Sequence, residues 1–321
     1  MNASISALSS HVPGNILNNA YFESIIETSD EWITTRTGIK TRHVCSEGET
    51  LTDLCVKAVD RLQQETSIET GDCDFILVAT STADARIPST ASQIQHRLGI
   101  RSCGTLDIAA ACAGFVYGLQ LAKGMVESGM YKKILVVGAE VLSRFTDYTD
   151  RTTCILFGDG AGVAIVQDTD KGRIYGAVAG TEGDKAKELY LADRPDILND
   201  QAVEGNNKIH QDGKKVFKWA VQTISEKIKL MLELEKLNPS DIDWLVLHSA
   251  NLRIIEAICR ETGIPVEKAL ESVVNYGNTS AASIPLALHN AILENKLTSG
   301  DRLLLMGFGG GLTYAGAFLD W

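Results

Sequence analysis

The sequence is short of basic charge: 30 Lys and Arg stand against 41 Asp and Glu, a formal net charge of −11. Nucleic-acid-binding domains are usually basic, so this balance argues against a nucleic-acid partner and leaves an acidic partner only a local basic patch. No apolar run approaches the roughly 18 residues that a membrane-spanning helix needs. The opening MNASISALSSHVPGN has neither the basic n-region nor the long apolar h-region of a secretory signal, so a cytoplasmic protein away from membranes is expected. Seven cysteines, at 45, 55, 73, 103, 112, 154 and 259, include no CxxC pair. This excludes both a thioredoxin-type redox motif and a zinc ligand set, and reduced thiols fit a cytosolic setting.

What is present is an ordinary globular composition, 45% hydrophobic and 22% charged over 321 residues. That length suits two domains, or one large unit of two halves. Leu51, Leu54, Cys55, Ala58 and Leu62 share one face, which predicts an amphipathic helix over 51–64. DFILVAT at 74–80 and KKILVVGAEVL at 132–142 predict strands buried on both faces. A helix is expected over 90–98, a Gly turn feeding a strand over 157–168, and a helix over 215–234. Residues 181–214 have little periodicity and predict a long surface excursion, a kind of loop that often covers a site.

The second half echoes the first. Asp74-Phe-Ile-Leu-Val has a counterpart in Asp243-Trp-Leu-Val-Leu, and the strand starting at Lys133 has one starting at Arg302, both at an offset of 169 residues. Leu98-Gly-Ile matches Thr262-Gly-Ile, and the helix after Cys112 matches the segment from Asn278. Four matches in order imply a duplicated α/β unit, with halves expected at 1–172 and 173–321.

Candidate chemistry sits at the repeated positions. LDIAAACAGFVYGLQLAKGM at 106–125 runs from a strand through small residues to Cys112, at the mouth of a helix with almost no charge. Unpaired amides and the positive end of the helix dipole there favour thiolate. Two readings of Cys112 remain open on this stretch: nucleophile, or small buried hydrophobe. The duplication brings Asn278 towards Cys112 and turns His248, after the strand at 244–247, to the same place. Each has a plain alternative, a structural histidine and a helix cap. The Gly-rich turns Gly158–Gly162 and Gly307–Gly311 permit close backbone approach, as an oxyanion hole needs. GDGAG spaces its third Gly one residue too early for a dinucleotide fingerprint.

Taken together, AACAGF, HSANLR, YGNTSAAS and GFGGGLTYAG, with TSDEWI, RTGI, TDYTDRTT and FGDGAG, resemble β-ketoacyl-acyl-carrier-protein synthase III over nearly the whole chain. The resemblance implies a thiolase-like fold of two pseudo-symmetric αβαβα halves layered α/β/α/β/α. It implies a Cys112-His248-Asn278 catalytic set, where elongating synthases carry Cys-His-His and thiolases a second Cys. It further implies an oxyanion hole from Cys112 and Gly310, and coenzyme A contacts at Trp32, Arg36, Arg151 and Asn251. Ile87, Leu156, Phe157 and Phe217 are the implied acyl-pocket residues, and Lys218, Arg253 and Arg260 the implied carrier-protein patch. The substrates would be an acyl-CoA and malonyl-acyl carrier protein, with no metal or other cofactor, in a homodimer. Ile87 stands where the family often has an aromatic, which suggests room for branched or longer primers than acetyl. A role as a related acyltransferase, or in secondary metabolism, is the alternative; HSAN in place of the commoner HQAN does not decide it.

Overall fold

The computed structural model describes residues 1–194 and 196–321. In the first half, β1 (Ala3–His11), α1 (Asp30–Thr37), α2 (Leu51–Thr66), β2 (Phe75–Ala79), α3 (Thr90–Arg97), β3 (Gly104–Ile108), α4 (Gly114–Glu127), β4 (Lys133–Val141) and β5 (Asp159–Asp168) follow one another. The second half runs β6 (Arg173–Thr181), α5 (Gly213–Trp219), α6 (Ser225–Leu234), β7 (Trp244–Leu247), α7 (Leu252–Thr262), β8 (Ala269–Leu270), α8 (Ser283–Leu293), β9 (Arg302–Gly309) and β10 (Thr313–Asp320).

The first sheet has the order β1-β5-β4-β2-β3, and the second β6-β10-β9-β7-β8, so they match strand for strand. In each, the first three strands pair antiparallel and the last three parallel. Three apolar cores separate the layers. One lies between α2, α3 and the first sheet, one between the two sheets around α4 and α8, and one between the second sheet and α5–α7.

The local reasons are plain. α2 carries an apolar stripe and a reciprocal Thr50–Asp53 cap, a device worth about 1 kcal/mol. α4 is apolar on nearly all sides because both sheets bury it. Just before α4 and α8 stand two equivalent 3₁₀ turns, Ala111–Ala113 and Ser280–Ala282. Ala111 (φ 45°) and Ser280 (φ 48°) both hold the left-handed conformation there. Each turn presses on the opposite half. A Cβ on Gly138 of β4 would lie 2.3 Å from the Ala281 carbonyl oxygen, and one on Gly307 of β9 would lie 2.8 Å from the Ala113 Cα. Glycine at this pair of positions lets the two turns meet at the molecular centre.

Three expectations change. Residues 181–214 are organised: a 3₁₀ turn at Gly183–Glu188 leads into Leu189–Leu191, which pairs with Ile209–Gln211, while Asp196–Leu198 pairs with Gln201–Val203. Their short strands escape periodicity because each spans only three residues. The helix expected over 215–234 is broken by a π turn at Ala220–Ile224. Glu182 anchors that turn, accepting from the Trp219 indole at 2.7 Å and the Thr223 hydroxyl at 3.3 Å. Finally, Gly160 and Gly162 lie within β5 against Leu286 and Pro285 of α8, and a Cβ on Gly158 would strike the Tyr276 carbonyl. The GDGAG glycines therefore serve packing and form no oxyanion turn.

Candidate active site

Cys112 sits in the first 3₁₀ turn, one residue before the α4 N-cap, and is 8% exposed. Across from it, Gly309 ends β9; a side chain there would sit 2.9 Å from the sulfur, so glycine leaves the reacting atom uncovered. His248 follows β7, its amide donating to the Met306 carbonyl at 2.8 Å. Its Nδ1 lies 2.8 Å from the Ser283 hydroxyl, and the ring packs edge-on against Phe308. Asn278 is held by its own backbone: its amide donates to the Leu156 carbonyl at 2.8 Å and its carbonyl accepts from the Gly158 amide at 3.0 Å. The side-chain Oδ1 accepts the Ser280 amide at 2.9 Å, which leaves the Nδ2 hydrogens turned towards the cavity.

Cys112, His248 and Asn278 line one cavity of about 730 Å³ that opens past Trp32, Arg36, Phe217 and Asn251. A second cavity of about 720 Å³ reaches the sulfur from the other side and is also lined by Asn278, with Phe157, Gly310 and the 189–191 and 209 walls of the excursion. The chain thus presents one sulfur between an entrance and a chamber.

Burial sets the resting protonation. It pushes the Cys112 thiol up to about 12, against a smaller lowering by the Ser280 hydroxyl, and pushes His248 down to about 3. The thiolate expected from the helix N-terminus is therefore not the resting form. Desolvation of the charged sulfur outweighs the dipole, and both Cys112 and His248 rest neutral at the cavity they line.

The other expected residues divide. Arg151 and Arg36 lie against Trp32, their guanidinium carbons 5.4 and 5.8 Å from its ring centroid, and Trp32 and Arg36 line the cavity. Asn251 caps α7 through the Arg253 amide at 2.8 Å and donates to the Arg36 carbonyl at 3.2 Å, joining that mouth to α1. The expected acyl-pocket set does not stay together. Phe157 lines the inner chamber, Leu156 and Phe217 line the entrance, and Ile87 stands 89% exposed, clear of both. The expected basic patch is weaker than its sequence suggests. Arg253 is engaged with Glu256 at 2.7 Å and with the Thr34 and Thr35 carbonyls, and acts as a staple between α7 and α1. Lys218 on α5 and Arg260 on α7 remain exposed, with Glu261 among them. Sequence reading missed Ser283, Ser280 and Glu140. The signal for Glu140 was a lone carboxylate inside the apolar run of β4.

The comparisons with known proteins bear on this geometry. Residues 106–183 match the family model for 3-oxoacyl-[acyl-carrier-protein (ACP)] synthase III, and residues 232–321 match its C-terminal model. β-Ketoacyl-[acyl-carrier-protein] synthase III 2 of Halalkalibacterium halodurans is 47% identical over 99% of this chain and 96% of its own. That of Bacillus subtilis is 46% identical over 99% of this chain and 98% of its own. The chain belongs to the β-ketoacyl-acyl-carrier-protein synthase III family. The crystal structure of the synthase III from Thermus thermophilus superposes with a TM-score of 0.95 at 43% identity, covering 99% of both chains. As a family member the chain is a condensing acyltransferase with the thiolase-like fold. Among the described residues, no group of three or more His, Cys, Asp and Glu side chains is placed to hold a metal ion, and no helix is long and apolar enough to cross a membrane.

Proposed function

We propose that this chain takes an acyl group from an acyl-CoA onto Cys112 and joins it to malonyl-acyl carrier protein with loss of carbon dioxide, giving the 3-oxoacyl-acyl carrier protein that starts fatty-acid synthesis. The observation that carries this reading is the single sulfur shared by an entrance and an inner chamber, with Asn278 lining both. A thioester arriving through the entrance leaves its acyl group in the chamber and withdraws, and the second substrate enters by the same route.

Cys112 attacks the thioester carbonyl, and the Cys112 and Gly310 amides hold the tetrahedral oxygen. Malonyl-acyl carrier protein then loses carbon dioxide, and negative charge develops on its thioester oxygen. Asn278 Nδ2 and a neutral His248 supply donors to that oxygen, and burial keeps the imidazole uncharged. The carbanion attacks the acyl-Cys112 ester, and the sulfur leaves. None of these steps calls for a metal or redox cofactor.

Trp32 and Arg151 open to take the coenzyme A adenine between them, a stacking and cation–π role, with Arg36 at the phosphates and Asn251 at the pantetheine arm. Lys218 and Arg260 meet the acidic carrier protein. The halves divide at 1–172 and 173–321. β3 is a sheet edge with Leu106 exposed, and a second copy pairing there forms the homodimer and carries Ile87 to its partner's chamber. Ile87 in that place leaves space for branched primers. A priming ketosynthase of the R1128 polyketide pathway shares the fold at a TM-score of 0.90 but is 32% identical, against 47% for the Halalkalibacterium synthase, which favours the fatty-acid role.

The test is product analysis with acetyl-, isobutyryl- and isovaleryl-CoA and malonyl-acyl carrier protein. A 3-oxoacyl-acyl carrier protein is expected, with the branched primers turned over at least as well as acetyl. Acyl transfer to another acceptor without decarboxylation would favour the acyltransferase alternative.

A further inference from the structure

Glu140 takes no part in the steps above, yet it grips the turn that follows Asn278. It is fully buried near the end of β4. Its carboxylate accepts from the Ser81 amide at 3.1 Å, the Thr82 hydroxyl at 2.6 Å, the Thr80 hydroxyl at 3.3 Å and the Ser280 hydroxyl at 3.1 Å. Three of these donors follow β2; the fourth crosses from the opposite half, and all are uncharged. The Thr80 and Thr82 oxygens accept the Thr82 and Val141 amides at 3.1 and 2.8 Å, so both hydroxyls keep their hydrogens for the carboxylate. The two halves differ at this place. Residues 140 and 309 are equivalent, 169 apart, as are residues 111 and 280, which open the two turns. β9 carries Gly309 beneath the first turn and leaves the sulfur uncovered. β4 carries a carboxylate beneath the second turn, and Ser280, unlike Ala111, offers it a hydroxyl. Ala111 (φ 45°) shows that such a turn forms without a hydroxyl, so the grip on Ser280 (φ 48°) serves the turn's position rather than its formation.

We propose that Glu140 is a positioning residue for the condensation step: by holding the Ser280 hydroxyl it aims the Asn278 Nδ2 donors at the enolate oxygen. The inference rests on Asn278 serving that oxygen. The Asn278 backbone is fixed separately, through the Leu156 carbonyl and the Gly158 amide. Its side chain is not. Among the described residues, the one group that holds it is the Ser280 amide, which donates to Oδ1 at 2.9 Å. A shift of that amide therefore turns the carboxamide, and with it both N–H donors. The carboxylate, the Ser280 hydroxyl and the Ser280 amide thus tie the end of β4 in the first half to a reactive side chain in the second. Glu140 exchanges no proton in this role.

A double-mutant cycle on malonyl-acyl carrier protein decarboxylation tests this. Ser280→Ala and Glu140→Gln are each made in wild type and in Asn278→Ala, and acylation of Cys112 by isobutyryl-CoA is measured on the same samples. Alanine already holds this conformation at position 111, so Ser280→Ala is expected to fold and keeps the test decisive if Glu140→Gln folds poorly. In the wild-type background each substitution is expected to slow decarboxylation about 10- to 10²-fold through kcat, with KM for malonyl-acyl carrier protein unchanged. Acylation is expected to slow no more than about twofold, since the sulfur stands on the other turn. In Asn278→Ala neither substitution is expected to slow decarboxylation further, because the donors to be aimed are gone. Equal slowing in both backgrounds would overturn the inference, as would wild-type decarboxylation in Ser280→Ala or a parallel loss of both half-reactions there. Asn278→Ala decarboxylating as fast as wild type would instead undo the role of Asn278, and the inference with it.

Discussion

Asn278 has its side-chain oxygen occupied by the Ser280 amide, so its function reduces to two N–H donors. Asn278→Ala is expected to lower condensation about 10²- to 10³-fold, the usual effect of losing one oxyanion donor, while acylation of Cys112 continues. Cys112→Ser is expected to show the opposite split, losing acyl transfer from coenzyme A while malonyl decarboxylation continues; single-turnover assays of the two half-reactions separate them. His248 makes a pH prediction. Burial lowers it from its unfolded value near 6.5 to about 3, so below 6.5 the unfolded chain binds the extra proton. This contribution to stability is complete above pH 6.5 and is lost as pH falls towards 3. Urea midpoints between pH 7.5 and 5 are expected to fall less steeply in His248→Gln than in wild type. That Cys112, His248 and Asn278 come together at one cavity was legible in the sequence because their motifs surround them. The protonation of Cys112 was not. A dipole is readable from a helix start, but the desolvation that outweighs it depends on what the other half of the chain lays over the sulfur.

The elements tell a similar story. The strands of the repeat could be read because burial on both faces leaves unbroken apolar runs, and their offset of 169 residues survives in the turns, from Ala111 to Ser280. The π turn and the paired triplets of the excursion could not, since one depends on the distant Glu182 and the others are too short for a period. Two glycines with different surroundings test the packing account. Gly307→Ala pushes a methyl to 2.8 Å from the backbone of the Cys112 turn, so it is expected to cost roughly 1–3 kcal/mol and to slow acylation. Gly124→Ala on α4 meets nothing within 4 Å and is expected to stabilise the fold by about 1 kcal/mol without altering the chemistry. Thermal unfolding and the acylation assay together report both. The buried Arg42 links elements in another way. Its guanidinium donates to the Ile155 carbonyl at 2.7 Å and to Asn19 at 2.6 Å, and Asn19 in turn holds Asp30 at the start of α1. It thereby ties the segment carrying Arg151 to the helix carrying Trp32. Arg42→Met is expected to raise KM for acyl-CoA more than for acyl-pantetheine, which lacks the adenine.

At the scale of the molecule, two copies of one layered unit meet face to face, and each supplies what the other lacks: the first brings the sulfur, the second the imidazole and the carboxamide. The first sheet ends at β3, an unpaired edge with Leu106 44% exposed near the 89% exposed Ile87 segment. In the proposed homodimer an apolar side chain that open gains its cover from a second copy. Ile87→Trp is expected to leave acetyl-CoA turnover standing and to suppress isovaleryl-CoA, and unchanged primer preference would remove Ile87 from the chamber. The whole account depends on acyl chemistry at one sulfur placed between an entrance and a chamber. Its most direct test is peptide mass spectrometry of the protein after brief exposure to isobutyryl-CoA, followed by a chase with malonyl-acyl carrier protein. The isobutyryl group is predicted on the peptide holding Cys112, and the chase is predicted to clear it as the 3-oxoacyl product appears on the carrier protein. A label on any other residue, or one at Cys112 that the chase leaves in place, would contradict it.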